Sequence, residues 1–282
     1  MSKKGVSLHL MKKAELILAT AVIALLTTSC NGYEKLLKSN DYNAKYEAAM
    51  RYYNENSYSK AIQLFENLTL QYRGRENAEE IAWCYAQALF KEKDYFSAGY
   101  HFRRYAKQYP FSDRTEEAVF MSAYCSYMES PSYSLDQTTT REAIAQFESF
   151  AERWPRSNHI PEVNHYLDEM RVKLVRKDYE IAYEYYFIEE YRAAYESFKN
   201  FLSIYPDAPM REDAMYYMLR SGYLYAIGSR EDKQRERLQQ VVNDFDRFST
   251  SFNNSKYMKD AQDIYTRTRA ALAKLETTEA HR

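Results

Sequence analysis

The chain has 282 residues, of which 45% are hydrophobic, and its 39 basic and 40 acidic side chains give a net charge of −1. Six glycines and six prolines leave too few turn residues for a fold rich in β-sheet. The balanced charge offers no basic field for nucleic acid, and the sequence contains neither GxGxxG nor GxxxxGKS/T, so no phosphate-binding loop is predicted.

The amino terminus has the features of a secretory signal. A basic start is followed by the apolar run Leu16–Leu26, which is shorter than the ~20 residues that a membrane span needs. Small residues follow and lead to Cys30. The segment Leu26–Cys30 is similar to the lipobox of bacterial lipoproteins, which implies that residues 1–29 are removed and that Cys30 carries a covalent, triacylated lipid. A plain secretory signal is the alternative.

The residues after the signal set the charge and the location of the mature chain. Residues 1–29 hold four lysines and one glutamate, so the remainder carries 35 basic and 39 acidic side chains, a net charge of −4. Residues 30–41 are expected to form a short tether. Several acyl chains anchor a protein firmly to a membrane. No block of acidic residues follows Cys30 to argue for display on the cell exterior, so we expect the protein on the periplasmic face of an outer membrane.

A phrase of fixed spacing recurs five times along the rest of the chain. In its best form an alanine is followed by three aromatic residues and a proline, as in Ala98, Phe102, Tyr105, Tyr109 and Pro110. The five copies begin at Ala61, Ala98, Ala143, Ala194 and Val241. Gaps of four, three and four residues place these side chains on one face of a helix, which the proline ends.

Each copy follows another helical run that contains a small residue. These small residues are Ala49, Ala86, Ala123, Ala182 and Gly222. A large residue stands three positions later in every repeat except the third, which has Ser126. This order of residue types, namely small, large, alanine, aromatic and proline, is typical of tetratricopeptide repeats. The sequence therefore predicts an all-α, tetratricopeptide-like solenoid of about five helical hairpins.

The spacing of the copies also predicts the domain limits. The solenoid is expected to span residues 42–275, with a disordered tail at 276–282. Insertions are predicted at Ser130–Thr140 and at about 228–232. A helical extension, Pro161–Leu174, is expected to run directly into the fourth repeat.

Residues that could carry chemistry are scattered along the predicted helices. Cys84 and Cys125 fall in the first helices of successive repeats and are expected to be buried free thiols, with a disulfide as the alternative. The histidines do not have a metal-binding spacing, so neither a metal site nor a catalytic site is predicted. The acidic pairs Glu79–Glu80 and Glu189–Glu190 are expected to be solvated at helix starts or turns.

Aromatic residues recur on the first helices at the positions three before and four after the small residue. The eight candidates for a peptide-binding groove are Tyr46, Tyr53, Trp83, Phe90, Phe120, Tyr127, Tyr179 and Tyr186. Tyrosine and tryptophan suit peptide contact because they offer a large area, a polar tip and few rotamers. Two interpretations stay open, namely a ligand groove and packing between repeats or beneath the extension.

The lipobox followed by these repeats, together with the run Glu169–Tyr186 leading into Ala194, resembles the BamD family of outer-membrane assembly lipoproteins. The resemblance implies a non-enzymatic scaffold without a small-molecule substrate. Its partners would be a BamA-like, POTRA-bearing barrel protein at the carboxy-terminal repeats and unfolded β-barrel substrates at the amino-terminal repeats. Another lipid-anchored tetratricopeptide adaptor, serving cell-wall synthesis or secretion, is the alternative.

Overall fold

The computed structural model describes residues 32–280, with side chains up to residue 277, and all regular structure in this range is helical. The predicted signal and the lipid-bearing Cys30 lie outside the described residues. Helix α1 spans residues 32–38. The remaining helices are α2 (Tyr42–Asn54), α3 (Tyr58–Gln71), α4 (Ala78–Lys91), α5 (Tyr95–Gln108), α6 (Thr115–Met128), α7 (Thr138–Arg153), α8 (Ile160–Phe187), α9 (Tyr191–Ile204), α10 (Arg211–Ile227), α11 (Glu231–Ser251) and α12 (Met258–Ala280).

The chain divides into two compact units, each of which is a stack of helical hairpins. Unit 1 comprises the chain up to Ser130 together with Thr138–Val163, and unit 2 comprises Pro131–Gln137 and the chain from Asn164 onward. In unit 1, each helix from α2 to α7 packs against the next, and in unit 2 the helices α9 to α12 do the same. The predicted all-α fold of tetratricopeptide-like hairpins is confirmed.

The recurring phrase forms the core of the hairpins. Its alanines are completely buried, and so are the phenylalanines four residues later: Phe65, Phe102, Phe147 and Phe198. The alanine lets the two helices of a hairpin approach closely, and the ring then fills the groove between them. Burying each ring stabilises the fold by about 2–3 kcal/mol. The same spacing therefore produces the same packing in the four hairpins whose phrase begins with alanine.

The tight turns inside the hairpins share one backbone conformation. Asn56, Lys93 and Glu189 each lie seven residues after the small residue, and each has a positive φ, between 58° and 65°. The amide of the following residue donates to a carbonyl five residues back, as from Asp94 to Leu89 at 3.0 Å. This is the helix end that glycine usually provides, because the left-handed conformation strains a residue with a Cβ.

The structure confirms one predicted boundary and corrects two others. The extension at Pro161–Leu174 is part of the continuous helix α8, as predicted. Part of the predicted tether is α1, whose Tyr33 hydroxyl donates to the Lys60 carbonyl at 2.9 Å. The tail predicted to be disordered from residue 276 instead continues α12 to Ala280, because its first residues include neither glycine nor proline to end the helix.

Candidate protein-binding face

The first row of candidate rings, three residues before the small residue, packs against the second helix of its own hairpin. The Trp83 ring lies 5.3 Å from the Tyr105 ring and 5.7 Å from the Phe102 ring, in edge-to-face contacts. The equivalent pairs are Phe120 with Phe147 and Phe150, and Tyr179 with Phe198 and Phe201. Tyr46 stacks on Tyr72 instead, at 6.1 Å. The phrase aromatics thus fix the orientation of the candidate rings.

The second row, four residues after the small residue, packs against the aromatic residue that begins the second helix. The pairs are Tyr53 with Tyr58 at 5.8 Å, Phe90 with Tyr95 at 5.5 Å, and Tyr186 with Tyr191 at 6.2 Å. Repeat three has no aromatic residue at the start of α7, and its Tyr127 packs 5.9 Å from Tyr124 instead. Each ring of this row therefore rests on a neighbouring ring.

Further rings join the two rows and connect adjacent hairpins within a unit. In unit 1, Tyr124 stacks on Phe120 with centroids 6.1 Å apart and also lies 6.0 Å from Phe90 of the preceding hairpin. In unit 2, Tyr217 lies 5.0 Å from both Tyr183 and Tyr186. The sequence analysis missed Tyr217, although the adjacent aromatic pair at positions 216 and 217 was a visible signal.

Seven of the eight candidate rings are half-buried, so each rests on its neighbours and keeps part of its surface in water. The exception is Phe120, which is only 5% exposed because the His159 ring stacks on it at 3.9 Å. Phe120 therefore offers almost no contact surface, and for this residue the packing interpretation is correct. Burial raises the pKa of Tyr46, Tyr53 and Tyr186, so these hydroxyls stay protonated at neutral pH.

In the acidic pair Glu79–Glu80, Glu79 is exposed and Glu80 is half-buried at the start of α4, but both carboxylates also have partners that the sequence analysis did not predict. The Ser112 and Tyr105 hydroxyls donate to Glu79 at 2.6 and 2.7 Å, and these hydrogen bonds lower the pKa of its carboxyl. Arg114 forms an ion pair with Glu80 at 2.6 Å and lies over the Trp83 ring. We call these contacts a latch, because a carboxylate at the start of one hairpin binds the turn that begins the next.

Similar latches occur in two further repeats. His159 lies 2.7 Å from Glu117 at the start of α6, and Ser255 donates to Glu212 at the start of α10 at 2.6 Å. The signal was present in the sequence as a serine three residues after the last aromatic position of the phrase, namely Ser112, Ser157 and Ser255. Each of these hydroxyls also accepts the amide two residues later, which shapes the turn.

The two remaining cysteines are Cys84 and Cys125, and both are buried free thiols, as predicted. Burial raises the pKa of each thiol to about 12, so neither forms the reactive thiolate at neutral pH. Within residues 32–280, the structure has no group of three or more His, Cys, Asp or Glu side chains that could hold a metal ion.

The second acidic pair, Glu189–Glu190, is exposed at the turn between α8 and α9, as the sequence analysis expected.

Stacked helical hairpins that carry rows of half-buried aromatic rings define a tetratricopeptide-type repeat protein, a class built for contact with other proteins. The profile of the YfiO family, described as outer membrane lipoprotein, matches residues 38–228 and 179–281. The chain belongs to this family, which is the BamD family, and the predicted resemblance is confirmed.

Other comparisons add little to this assignment. No curated protein matches the chain. Among solved structures, the crystal structure of nearly identical TPR-like repeats of a kinesin light chain-type protein from Podosopora anserina is 15% identical. That match covers 76% of this chain and 96% of that chain, with a TM-score of 0.31. In the described part of the chain, no helix has both the length and the apolar character needed to cross a membrane.

Proposed function

We propose that this protein is a lipid-anchored, non-enzymatic scaffold at the periplasmic face of the outer membrane. In this role it helps to fold and insert β-barrel proteins. Its carboxy-terminal repeats would bind a POTRA-bearing, BamA-like barrel protein, and its amino-terminal repeats would bind unfolded barrel substrates. The observation that carries the proposal is the family match across almost all of the described residues.

The anchor in this proposal is the covalent lipid on Cys30. The family is described as outer membrane lipoprotein, and the similarity of the segment Leu26–Cys30 to a lipobox supports a lipid on Cys30. A variant with Cys30 replaced by alanine and residues 1–29 replaced by the signal of a soluble periplasmic protein should move from the outer-membrane fraction to the soluble periplasmic fraction. A variant that stayed in the membrane fraction after a high-salt wash would contradict anchoring by this cysteine.

The half-buried rings supply a surface suited to extended, partly apolar peptides. A ring that already rests on its neighbours loses little conformational freedom when a peptide covers it. Covering the remaining half of one ring contributes about 1 kcal/mol, because full burial of such a side chain contributes about 1.5–3 kcal/mol. A few rings therefore suffice for micromolar capture after the cost of association.

The proposed partner can be tested by a pull-down in mild detergent, with mass spectrometry of the proteins that accompany the tagged, lipidated protein. A POTRA-bearing barrel protein in near-stoichiometric amount is expected. If cell-wall enzymes or a secretion complex appear in its place, the assembly role is wrong and the alternative adaptor role applies.

The peptide-binding face needs a separate test. We expect the double substitution Tyr46→Ala with Trp83→Ala to weaken binding of a synthetic carboxy-terminal peptide of an outer-membrane barrel. The loss of two half-buried rings corresponds to about 2 kcal/mol, or roughly thirtyfold in affinity. Phe111→Ala is the matched control, because that ring is 99% exposed in the turn between α5 and α6. Unchanged affinity would contradict the proposal, and loss of the helical circular dichroism signal would assign the rings to the core.

A further inference from the structure

Unit 1 contains a second feature, which is lined by the second helices α5 and α7 and by the carboxy-terminal end of the first helix α6. It is a cavity of about 270 Å³, open at one side, at the meeting point of α5, α6 and α7. Its lining residues are Tyr95, Phe96, Gly99, Tyr100, Arg103, Cys125, Ser126, Glu129, Thr139 and Glu142. None of the rings in the eight-residue candidate set lines it.

Two departures from the repeat pattern coincide at this cavity. The position after the phrase alanine holds Ile62, Ile144, Tyr195 and Val242 in four repeats, but Gly99 in the second. The position three after the small residue is large in four repeats, but Ser126 in the third. Gly99 and Ser126 both line the cavity. Small residues at two positions that normally carry large ones therefore leave this space open.

The equivalent place in unit 2 shows what a large residue does there. Tyr195 is 8% exposed, and its ring packs so closely on the next hairpin that a Cβ added at Gly222 would lie 3.0 Å from it. At Gly99 an added Cβ would lie 3.0 Å from the Cβ of Cys125, so the glycine also permits close approach of α5 and α6. Unit 1 therefore keeps the close helix contact without the ring that fills the space in unit 2.

The cavity combines aromatic walls with an acidic rim. Phe96 and Tyr100, one turn apart on α5, are 80% and 57% exposed. The carboxylates of Glu129 and Glu142 form no ion pair within the described residues 32–280, and Arg103 is the one basic residue of the lining. The rim therefore carries two acidic groups against one basic group, which favours a partner with positive charge.

We propose that this cavity receives a large aromatic side chain from a partner protein, at a position where the neighbouring residue of the partner is lysine or arginine. A buried cavity of about 150 Å³ is known to hold benzene, so the volume here is sufficient for an indole or phenol ring. Phe96 and Tyr100 contact the incoming ring, and Glu129 and Glu142 bind the basic neighbour. This contact uses none of the eight candidate rings and does not depend on the family's assembly role.

The probes are two acetylated, amidated tetrapeptides, Ala-Trp-Lys-Ala and Ala-Trp-Glu-Ala, titrated into the full-length protein and followed by amide NMR. We expect the lysine peptide to shift the signals of Gly99 and Ser126 at millimolar concentration and to bind at least fivefold more tightly than the glutamate peptide. Glu142→Lys should reverse this preference. No shift with either peptide, or equal affinity for both, would overturn the proposal.

A filling variant tests the cavity itself. Ser126→Leu introduces the residue type that repeat two has at this position, where Leu89 is only 5% exposed, and should reduce binding of the lysine peptide at least tenfold. Ser203→Leu makes the same change at an exposed site of α9 and should leave binding unchanged. If Ser126→Leu fails to fold, Tyr100→Ala removes an exposed wall and should have the same effect. Unchanged binding in the folded variant would overturn the proposal. The Tyr46→Ala, Trp83→Ala protein should still bind the lysine peptide, which separates this site from the proposed peptide-binding face.

Discussion

We expect removal of the Tyr195 hydroxyl to destabilise unit 2 through a buried carboxylate. Asp244 of α11 is 2% exposed, and its two oxygens accept hydrogen bonds from the Tyr195 hydroxyl and the Gln240 amide, both at 2.9 Å. In Tyr195→Phe one carboxylate oxygen stays buried without this donor. A hydrogen bond to a charged group contributes about 1.5–3 kcal/mol, so the free energy of unfolding should fall by about 2 kcal/mol. At about 2–4 °C per kcal/mol for a chain of this size, Tm should fall by roughly 4–8 °C.

The pH dependence of this effect gives a sharper test. Burial raises the pKa of Asp244 above its usual value, whereas the hydrogen bonds from Gln240 and Tyr195 oppose that shift. A carboxyl whose folded pKa is raised stabilises the fold while it is protonated, and this contribution is lost as the pH rises through the folded pKa. Tyr195→Phe raises that pKa further, so its destabilisation should be largest at pH 7 and should shrink as the pH falls toward the pKa of Asp244.

Chemical denaturation followed by circular dichroism at several pH values measures both quantities. Asp244→Asn removes the buried charge, and in that background Tyr195→Phe should lose its pH dependence. Tyr185→Phe is the matched control in the same unit, because Tyr185 is 39% exposed, and its effect should stay within about 0.5 kcal/mol. A Tyr195→Phe effect that is smaller than that of the control, or that does not change with pH, would refute the reasoning.

Five other substitutions follow from single features of the backbone and the core. Lys93→Gly and Glu189→Gly should each raise the free energy of unfolding by about 0.5–1 kcal/mol in denaturant titrations, because both residues have positive φ; a loss of stability would contradict the strain argument. Ser221→Ala should be neutral or stabilising by up to about 1 kcal/mol, since that buried hydroxyl has no hydrogen-bond partner. Ser122→Ala should instead cost about 1 kcal/mol, because the buried Ser122 hydroxyl donates to a carbonyl at 3.1 Å; equal effects of the two serine substitutions would argue against both statements. Burial lowers the pKa of His101 to about 4, so the folded state resists protonation and the wild type should lose stability as the pH falls from about 6.5 to 4. His101→Gln should lose less over this range, and parallel pH profiles of the two proteins would refute the assignment.

The fold was predictable because the spacing of small and aromatic residues within each hairpin determines which faces of its helices are buried. The four-residue spacing of Ala98 and Phe102 placed both residues on the buried face of their helix, and both are completely buried. The depth of the candidate rings was not predictable, because it depends on residues from elsewhere in the chain. Phe120 is covered by His159, which is 39 positions later in the sequence.

The same limit explains why the sequence analysis missed the partners of the acidic pair Glu79–Glu80. Two glutamates in the first turn of a helix are usually solvated, and periodicity within α4 gives no reason to expect otherwise. Their partners, Ser112 and Arg114, come from the turn after the next helix, more than thirty residues away. A comparison of the turns between repeats, rather than of the helices alone, would have detected the recurring serine.

The latches have a consequence for how such a chain can change in length. The side chains of Glu80 and Glu117 remain 37% and 40% exposed while they bind the following turn. If the following hairpin were deleted, these carboxylates would be solvated by bulk water at little electrostatic cost, and the new end of the stack would be hydrophilic. A fully buried charge would instead lose its partner while it stayed buried, which is strongly destabilising. A partly wet contact of this kind lets hairpins be gained or lost in evolution without a matching change in the hairpin that stays behind.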